Sequence, residues 1–324
     1  MQKFSATSLI TFILLLAACS SKATSIGEGA SGSTLHPVSI EAYMEKDFNG
    51  SDLQLGNILA QNEVYTRYSI TYRSGNLTIS GIMNIPNGTG SFPVIILNHG
   101  FADTTQYKSG GGLKNEQDYL ARKGYVVVHP DFRNHALSDK DENAEIQFRL
   151  GYAEDAINAI LAVKAARLPN IDTQRVGMLG HSMGGGVTLN ALVIRPDIID
   201  AAVLYVPVTG SARAFYEKWT WYNFSRARAI RSLYGSPRQN PEFWDAVSAI
   251  NYLDRITGTV MIHHGTADRT VPLQWSRDLN ERLTTLGKDS TFHTYEGEKH
   301  LFEKDWQLLM ERSMEFFDAQ LKVK

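Results

Sequence analysis

Short unbroken apolar runs recur along the chain, and stretches of helical spacing fill the gaps between them. The runs are Val94–Leu97, Tyr125–Val128, Val176–Leu179, Ala201–Val206 and Val260–Ile262. Such runs suit strands buried on both faces, as in a parallel sheet covered by helices. Ahead of them, Val64–Arg73 alternates and is rich in β-formers, Ser74-Gly75-Asn76 reads as a turn, and Leu77–Ile85 as a second strand. The fold should therefore begin with a hairpin. Ala153–Arg167 sets Ala156, Ile157, Ile160 and Val163 on one helical stripe. Glu154 and Asp155 in its first turn, and Arg167 in its last, suit the helix dipole. The C-terminal stretch repeats the spacing with Trp306, Leu309, Met310, Ser313, Phe317 and Leu321. Ile40–Gln61 fits no single template. Strands alternating with helices predict the α/β class, with a mostly parallel twisted sheet and helices on both faces. Ligands of such sheets bind beyond the carboxyl ends of the strands, so the chemistry is expected just after the apolar runs.

The first 37 residues do not share this pattern. Lys3 precedes a ten-residue apolar run, Leu9–Ala18, which has the length of a signal-peptide core and is too short to cross ~30 Å of hydrocarbon. Leu16-Ala17-Ala18-Cys19 resembles the end of a bacterial lipoprotein signal. That resemblance implies a signal peptide at 1–18, lipidation of Cys19, a lipid anchor in the membrane and a place in the bacterial cell envelope. Residues 19–37, rich in Ser, Gly, Ala and Thr, read as a flexible tether, and 38–324 as the folded domain. Cys19 is the only cysteine, which excludes an internal disulfide and argues against a cysteine-based zinc site. With 43% apolar and 20% charged residues in 324, the chain has the composition of a globular protein. A net charge of −2 offers nothing to attract a nucleic-acid backbone.

Gly180-His181-Ser182-Met183-Gly184 follows the Val176–Leu179 run and precedes the helix-like Val187–Ile194. A G-x-S-x-G match in a strand–turn–helix context is the signature of a strained turn that presents a nucleophilic serine. No Lys-Ser/Thr pair follows the glycines, so a phosphate-binding loop is excluded. A serine hydroxyl needs a base held by a carboxylate. Asp268 follows the Val260–Ile262 run, and His300 follows the β-like Ser290–Tyr295. Singly, they could be a turn aspartate and a loop histidine. Their order after Ser182, each just past a strand, points to a Ser-Asp-His set. His181 neighbours the serine and is expected to point elsewhere, His263 and His264 read as structural, and His129 and His135 precede the serine. Asn98-His99-Gly100-Phe101 follows the first buried run, where the N–H groups of Phe101 and Met183 could hold an oxyanion. No metal or organic cofactor is implied.

From about Val64 onward the chain resembles an α/β-hydrolase, in particular the catalytic domain of the prolyl oligopeptidase family. The resemblance rests on His99-Gly100, Ala121–Val127, Asp131-Phe132-Arg133, Gly180–Gly185, Gly265-Thr266-Ala267-Asp268 with Val271-Pro272, and His300-Leu301-Phe302. It implies a serine hydrolase acting on an ester or a short peptide. Only about 60 residues precede the resemblance, against that family's long propeller, and Met183 stands where tyrosine is common after the serine. Both departures weaken the peptidase reading and leave the serine hydrolase intact. Residues 207–250, dense in aromatics and arginines, read as a small helical cap. Trp219, Trp221 and Tyr222 are expected to line a substrate pocket, and cap cations such as Arg226 to form a solvated face, the other reading being a basic rim that selects a substrate carboxylate. Other readings are a non-catalytic surface lipoprotein on the same scaffold, and a cofactor-free haloperoxidase-like enzyme.

Overall fold

The computed structural model describes residues 35–220 and 222–322. The expected signal peptide, Cys19, most of the tether and Trp221 lie outside the described residues. The strands are β1 (Ser51–Gln61), β2 (Tyr65–Ser74), β3 (Leu77–Pro86), β4 (Phe92–Asn98), β5 (Val126–Pro130), β6 (Ile171–His181), β7 (Ala201–Tyr205), β8 (Thr259–Gly265) and β9 (Ser290–Tyr295). The helices are α1 (Ile40–Met44), α2 (Lys114–Arg122), α3 (Leu150–Ala166), α4 (Met183–Ile194), α5 (Ala212–Phe215), α6 (Phe224–Tyr234), α7 (Pro241–Ala246), α8 (Leu273–Thr285) and α9 (Trp306–Leu321).

One sheet runs β1-β2-β3-β5-β4-β6-β7-β8-β9. β1, β2, β3 and β5 pair antiparallel, and all pairs from β5 through β4 to β9 are parallel. This is the α/β-hydrolase architecture that the resemblance implies. The unbroken apolar runs have a direct cause. Val94 and Ile96 face one core with α3 and α4, while Ile95 and Leu97 face the other with α2 and α9. Both sides of the strand are covered, so neither side can be polar.

The unplaced stretch contributes α1 and the edge strand β1. Leu55, Ile58 and Leu59 of β1 are exposed, and its pairing with β2 slips at three points. A bulged edge strand facing solvent leaves no apolar alternation to read.

α3 departs from the amphipathic expectation, because it is buried nearly all round. Its first turn starts at Leu150, so Glu154 and Asp155 are not at its positive end. They pair instead with Arg133. The Arg133 guanidinium donates to Asp155 at 2.8 Å, Glu154 at 3.1 Å and Asp141 at 3.0 Å. All but Asp141 of this group are nearly inaccessible. Burial raises the Asp155 carboxyl above its ordinary range, and Arg133 opposes the rise. A buried ion set of this kind costs desolvation and repays it only when fully bonded. Here it clamps the loop after β5 onto α3.

Between β7 and β8 the expected cap is present as α5, a wide helical turn at Tyr216–Thr220, α6 and α7. His36 packs edge-on against Phe243 of this cap, with ring centres 4.7 Å apart.

Candidate active site

β6 ends at His181, and α4 begins at Met183. Ser182 alone makes the turn, with φ 54° and ψ −114°. That conformation is unfavourable for a residue with a side chain and costs about 1–3 kcal/mol. Close packing enforces it. A Cβ on Gly184 would collide with the Asn98 backbone, and one on Gly180 with the Gly184 carbonyl and Thr188. The amide of Ser182 donates to Tyr205 O at 2.9 Å, and its carbonyl accepts from Gly185 and Val208. The hydroxyl is thereby held at the strand ends, at the start of α4.

The three residues expected from their order are brought together. Ser182 Oγ lies 2.9 Å from His300 Nε2, and His300 Nδ1 lies 2.7 Å from Asp268 Oδ2. Asp268 Oδ1 accepts from the amides of Thr270 and Val271 at 2.7 and 3.0 Å. Burial pushes the Asp268 carboxyl up, but these hydrogen bonds outweigh it and hold the group below its ordinary value. A carboxylate can only accept. The ring proton of His300 therefore sits on Nδ1, and Nε2 is left to accept from the serine.

Phe101 follows β4 in a loop and is exposed, and Met183 is the buried first residue of α4. Among the described residues neither amide donates to a protein acceptor. Asp131 anchors the segment that follows Phe101. It accepts from Ser109 Oγ at 2.6 Å, the Gly110 amide at 2.8 Å and Tyr107 at 3.1 Å. The glycine-rich run at 108–112 is thus pinned at Ser109 and Gly110.

Other histidines frame the site. His263 bonds Tyr295 and Ser313, and His264 bonds Ser276 and the Val271 carbonyl, the structural roles expected of them. His181 is closer to the chemistry than its neighbourly position suggested. Its Nε2 lies 3.1 Å from the His300 carbonyl, and its ring is tilted against the His300 ring with centres 5.0 Å apart. Burial, aided by the His300 charge, lowers its pKa to about 4, so it stays neutral there at pH 7. Its ring N–H can then donate to that carbonyl.

Two positioning residues had no assigned role in the sequence. Tyr205 Oη accepts from the Phe302 amide at 2.7 Å. Glu298 accepts from the amides of Glu303, Lys304 and Asp305 at 3.0, 2.7 and 2.7 Å. Together they fix both flanks of His300. An acid two residues before the histidine, followed by a helix start, was the available signal.

Two hollows flank the turn, one lined by Ser182 and the other by the next residue, Met183. A broad cleft of about 720 Å³ includes Ser182, His300, Phe302, Trp306 and Glu116. A narrow pocket of about 60 Å³ runs beneath the cap from Met183, between Val187, Val208, Phe148, Phe215 and Tyr216. The expected cap lining is corrected here. Trp219 turns away to pack on Phe215 and Trp275 at 5.0 and 5.3 Å, and Tyr222 stands 84% exposed. Trp221 lies outside the described residues. Among the described residues no three His, Cys, Asp or Glu side chains are grouped to hold a metal ion.

Comparison with known proteins matches residues 112–324 to the prolyl oligopeptidase family. A Bacillus subtilis (strain 168) protein described as an uncharacterized peptidase, YtmA, is 23% identical over 72% of this chain and 86% of its own length. Human dipeptidyl peptidase 8 is 28% identical over 56% of this chain, a match that spans only 19% of that larger protein. An acetyl xylan esterase from Paenibacillus sp. R4 superposes with a TM-score of 0.66 at 18% identity, covering 87% of this chain and 92% of its own. That likeness is one of fold.

Glu298 supplies a pH signature. Burial raises its carboxyl, but the backbone amides of Asp305, Glu303 and Lys304 pull it below the ordinary value. Its stabilising effect is therefore complete above the unfolded pKa of about 4.3 and is lost as pH falls through the folded value. Glu298→Gln should lower the melting temperature near neutral pH, and the gap to the parent should shrink as pH drops below about 4. Calorimetry at several pH values checks this; a gap independent of pH contradicts it.

Proposed function

We propose that this chain, which belongs to the prolyl oligopeptidase family and is a serine hydrolase, cleaves short-chain acyl esters through Ser182, His300 and Asp268. The observation that carries the reading is the pair of hydrogen bonds running from Ser182 Oγ through the His300 ring to Asp268. His300 Nε2 takes the serine proton as Oγ attacks the acyl carbonyl. Asp268 holds Nδ1–H and stabilises the imidazolium. The amides of Phe101 and Met183 receive the oxyanion, and removing one such donor typically costs 10²–10³ in rate. His300 then returns the proton to the leaving oxygen, and the acyl group stays on Ser182. Water, deprotonated by the same nitrogen, releases the acid.

The leaving group must depart beside His300, which protonates it. The broad cleft contains His300 and so suits the leaving group. The narrow pocket contains Met183 and not His300, which suits the acyl group. Its small volume favours a short acyl chain, and its lining combines valines and aromatics with Glu145, Arg149 and Arg226.

The family contains peptidases, and one observation ranks the ester reading above the exopeptidase reading. A free amine on the acyl side needs a carboxylate with acceptor capacity to spare. Glu145, which lines that pocket, already accepts from Arg149 and Tyr152 and pairs with Arg226.

The N-terminal motif supports export and lipid anchoring through Cys19. Cys19→Ser should shift the protein from the membrane fraction to the soluble one, because a single thiol carries the proposed anchor. Membrane retention unchanged by the substitution contradicts the anchor.

Ser182→Ala should lower kcat by roughly 10⁴–10⁶ on p-nitrophenyl acetate, and His300→Ala similarly, with the double variant little worse. More than a few per cent residual activity in Ser182→Ala overturns the assignment.

A further inference from the structure

We infer that Arg226, with Arg149, forms a subsite on the acyl side of Ser182 that takes a carboxylate carried by the substrate's acyl group. This rests on the acyl-side reading of the narrow pocket given above. Where Arg226 was expected on a solvated cap face, the fold instead draws it inward. Its Nη1 lies 2.9 Å from Glu145 Oε2, and it lines the pocket that Met183 also lines. Arg149 reaches the same carboxylate from the start of α3, through Nε at 3.1 Å and Nη2 at 3.0 Å.

The donor count is unequal. Each guanidinium carries five N–H groups, while one carboxylate accepts about four. Glu145 also accepts from Tyr152 at 3.2 Å, so it is saturated. The Arg226 guanidinium makes its contact with Glu145 through Nη1. Two cations therefore share one anion. Burial raises the Glu145 carboxyl, but Arg149 and Arg226 together hold it below its ordinary value, so it counts as a full negative charge at neutral pH. The cluster keeps a net positive charge and unspent, planar donors.

Its position gives that charge a use. The Arg149 guanidinium stands 5.6 Å from the Phe101 ring and 5.1 Å from the Phe215 ring. It is thus lodged between the oxyanion loop and the acyl pocket. Phe148 and Arg149 both have positive φ, 55° and 60°. Two consecutive strained residues facing one pocket are a feature of ligand sites. The adjoining outer hollow, which Met183 and Arg226 also line, holds Asp103, Asp141 and Glu142 beside Lys140. Asp141 belongs to Arg133, and Asp103 bonds the Thr105 amide and hydroxyl. An acyl chain entering over the valines would bring a terminal carboxylate to the free guanidinium edges, the geometry in which arginine binds carboxylates best.

The test compares kcat/KM for two p-nitrophenyl esters of equal chain length, the anionic monoglutarate and the neutral valerate. The parent enzyme should favour the monoglutarate by roughly ten- to a hundredfold. In Arg226→Gln this ratio should fall toward one, and Arg226→Lys should restore part of it. Free glutarate should inhibit the parent competitively and Arg226→Gln far less. An ion pair with a purely structural role would lower both esters together and leave the ratio intact, which overturns the subsite. Turnover of valerate with no preference for monoglutarate overturns the subsite and leaves the catalytic reading standing. Failure to turn over either ester overturns both.

Discussion

The backbone of Ser182 is the constraint on which the site depends. A residue with a side chain is held at positive φ between a strand and a helix that cross too closely for any Cβ at Gly180 or Gly184. The contact that forbids a Cβ on Gly184 is with the end of β4. Ser182 and the loop carrying Phe101 are therefore set by the same packing. Asn98 reinforces it through Thr188, which in turn bonds the Gly184 carbonyl. Strain of about 1–3 kcal/mol at one residue is small beside what two covered sheet faces supply. The turn persists because its surroundings leave no alternative.

Around that turn, each partner is fixed from its own side. Asp268 is held by two amides of its loop, and His300 by the flanks that Tyr205 and Glu298 anchor. Asp131 secures the segment after Phe101, and the adjacent Arg133 ties the loop after β5 to α3. Two residues of one short segment thus brace the loop after β4 and the core. The protein orders its reacting groups through charge-assisted hydrogen bonds on loops, while the strands supply the rigid frame.

What was legible in the sequence was local. The buried strands announced themselves as apolar runs because both of their faces are covered. The serine turn was readable because its glycines, spaced within five residues, sit between a strand and a helix, although the contact that forbids a Cβ on Gly184 comes from β4. Asp268 and His300 followed from order along a known connectivity. What was not legible depended on distant partners. β1 hid because an edge strand in solvent needs no apolar rhythm. Glu154 and Asp155 looked like dipole partners until Arg133 claimed them. Trp219 looked like a pocket wall, and its packing partner Trp275 comes from α8. Arg226 looked solvated because Glu145, its counter-ion, lies in a different part of the chain.

Active-site labelling tests the central claim, that Ser182 is the nucleophile activated by His300 and Asp268, most directly. A fluorophosphonate transfers its phosphonyl group to an activated serine oxygen with loss of fluoride. Peptide mass mapping of the labelled protein should find one adduct, on the peptide bearing Ser182. Labelling should slow by orders of magnitude in His300→Ala and Asp268→Asn. An adduct on another residue, or full ester turnover by protein that takes up no label, would contradict the account.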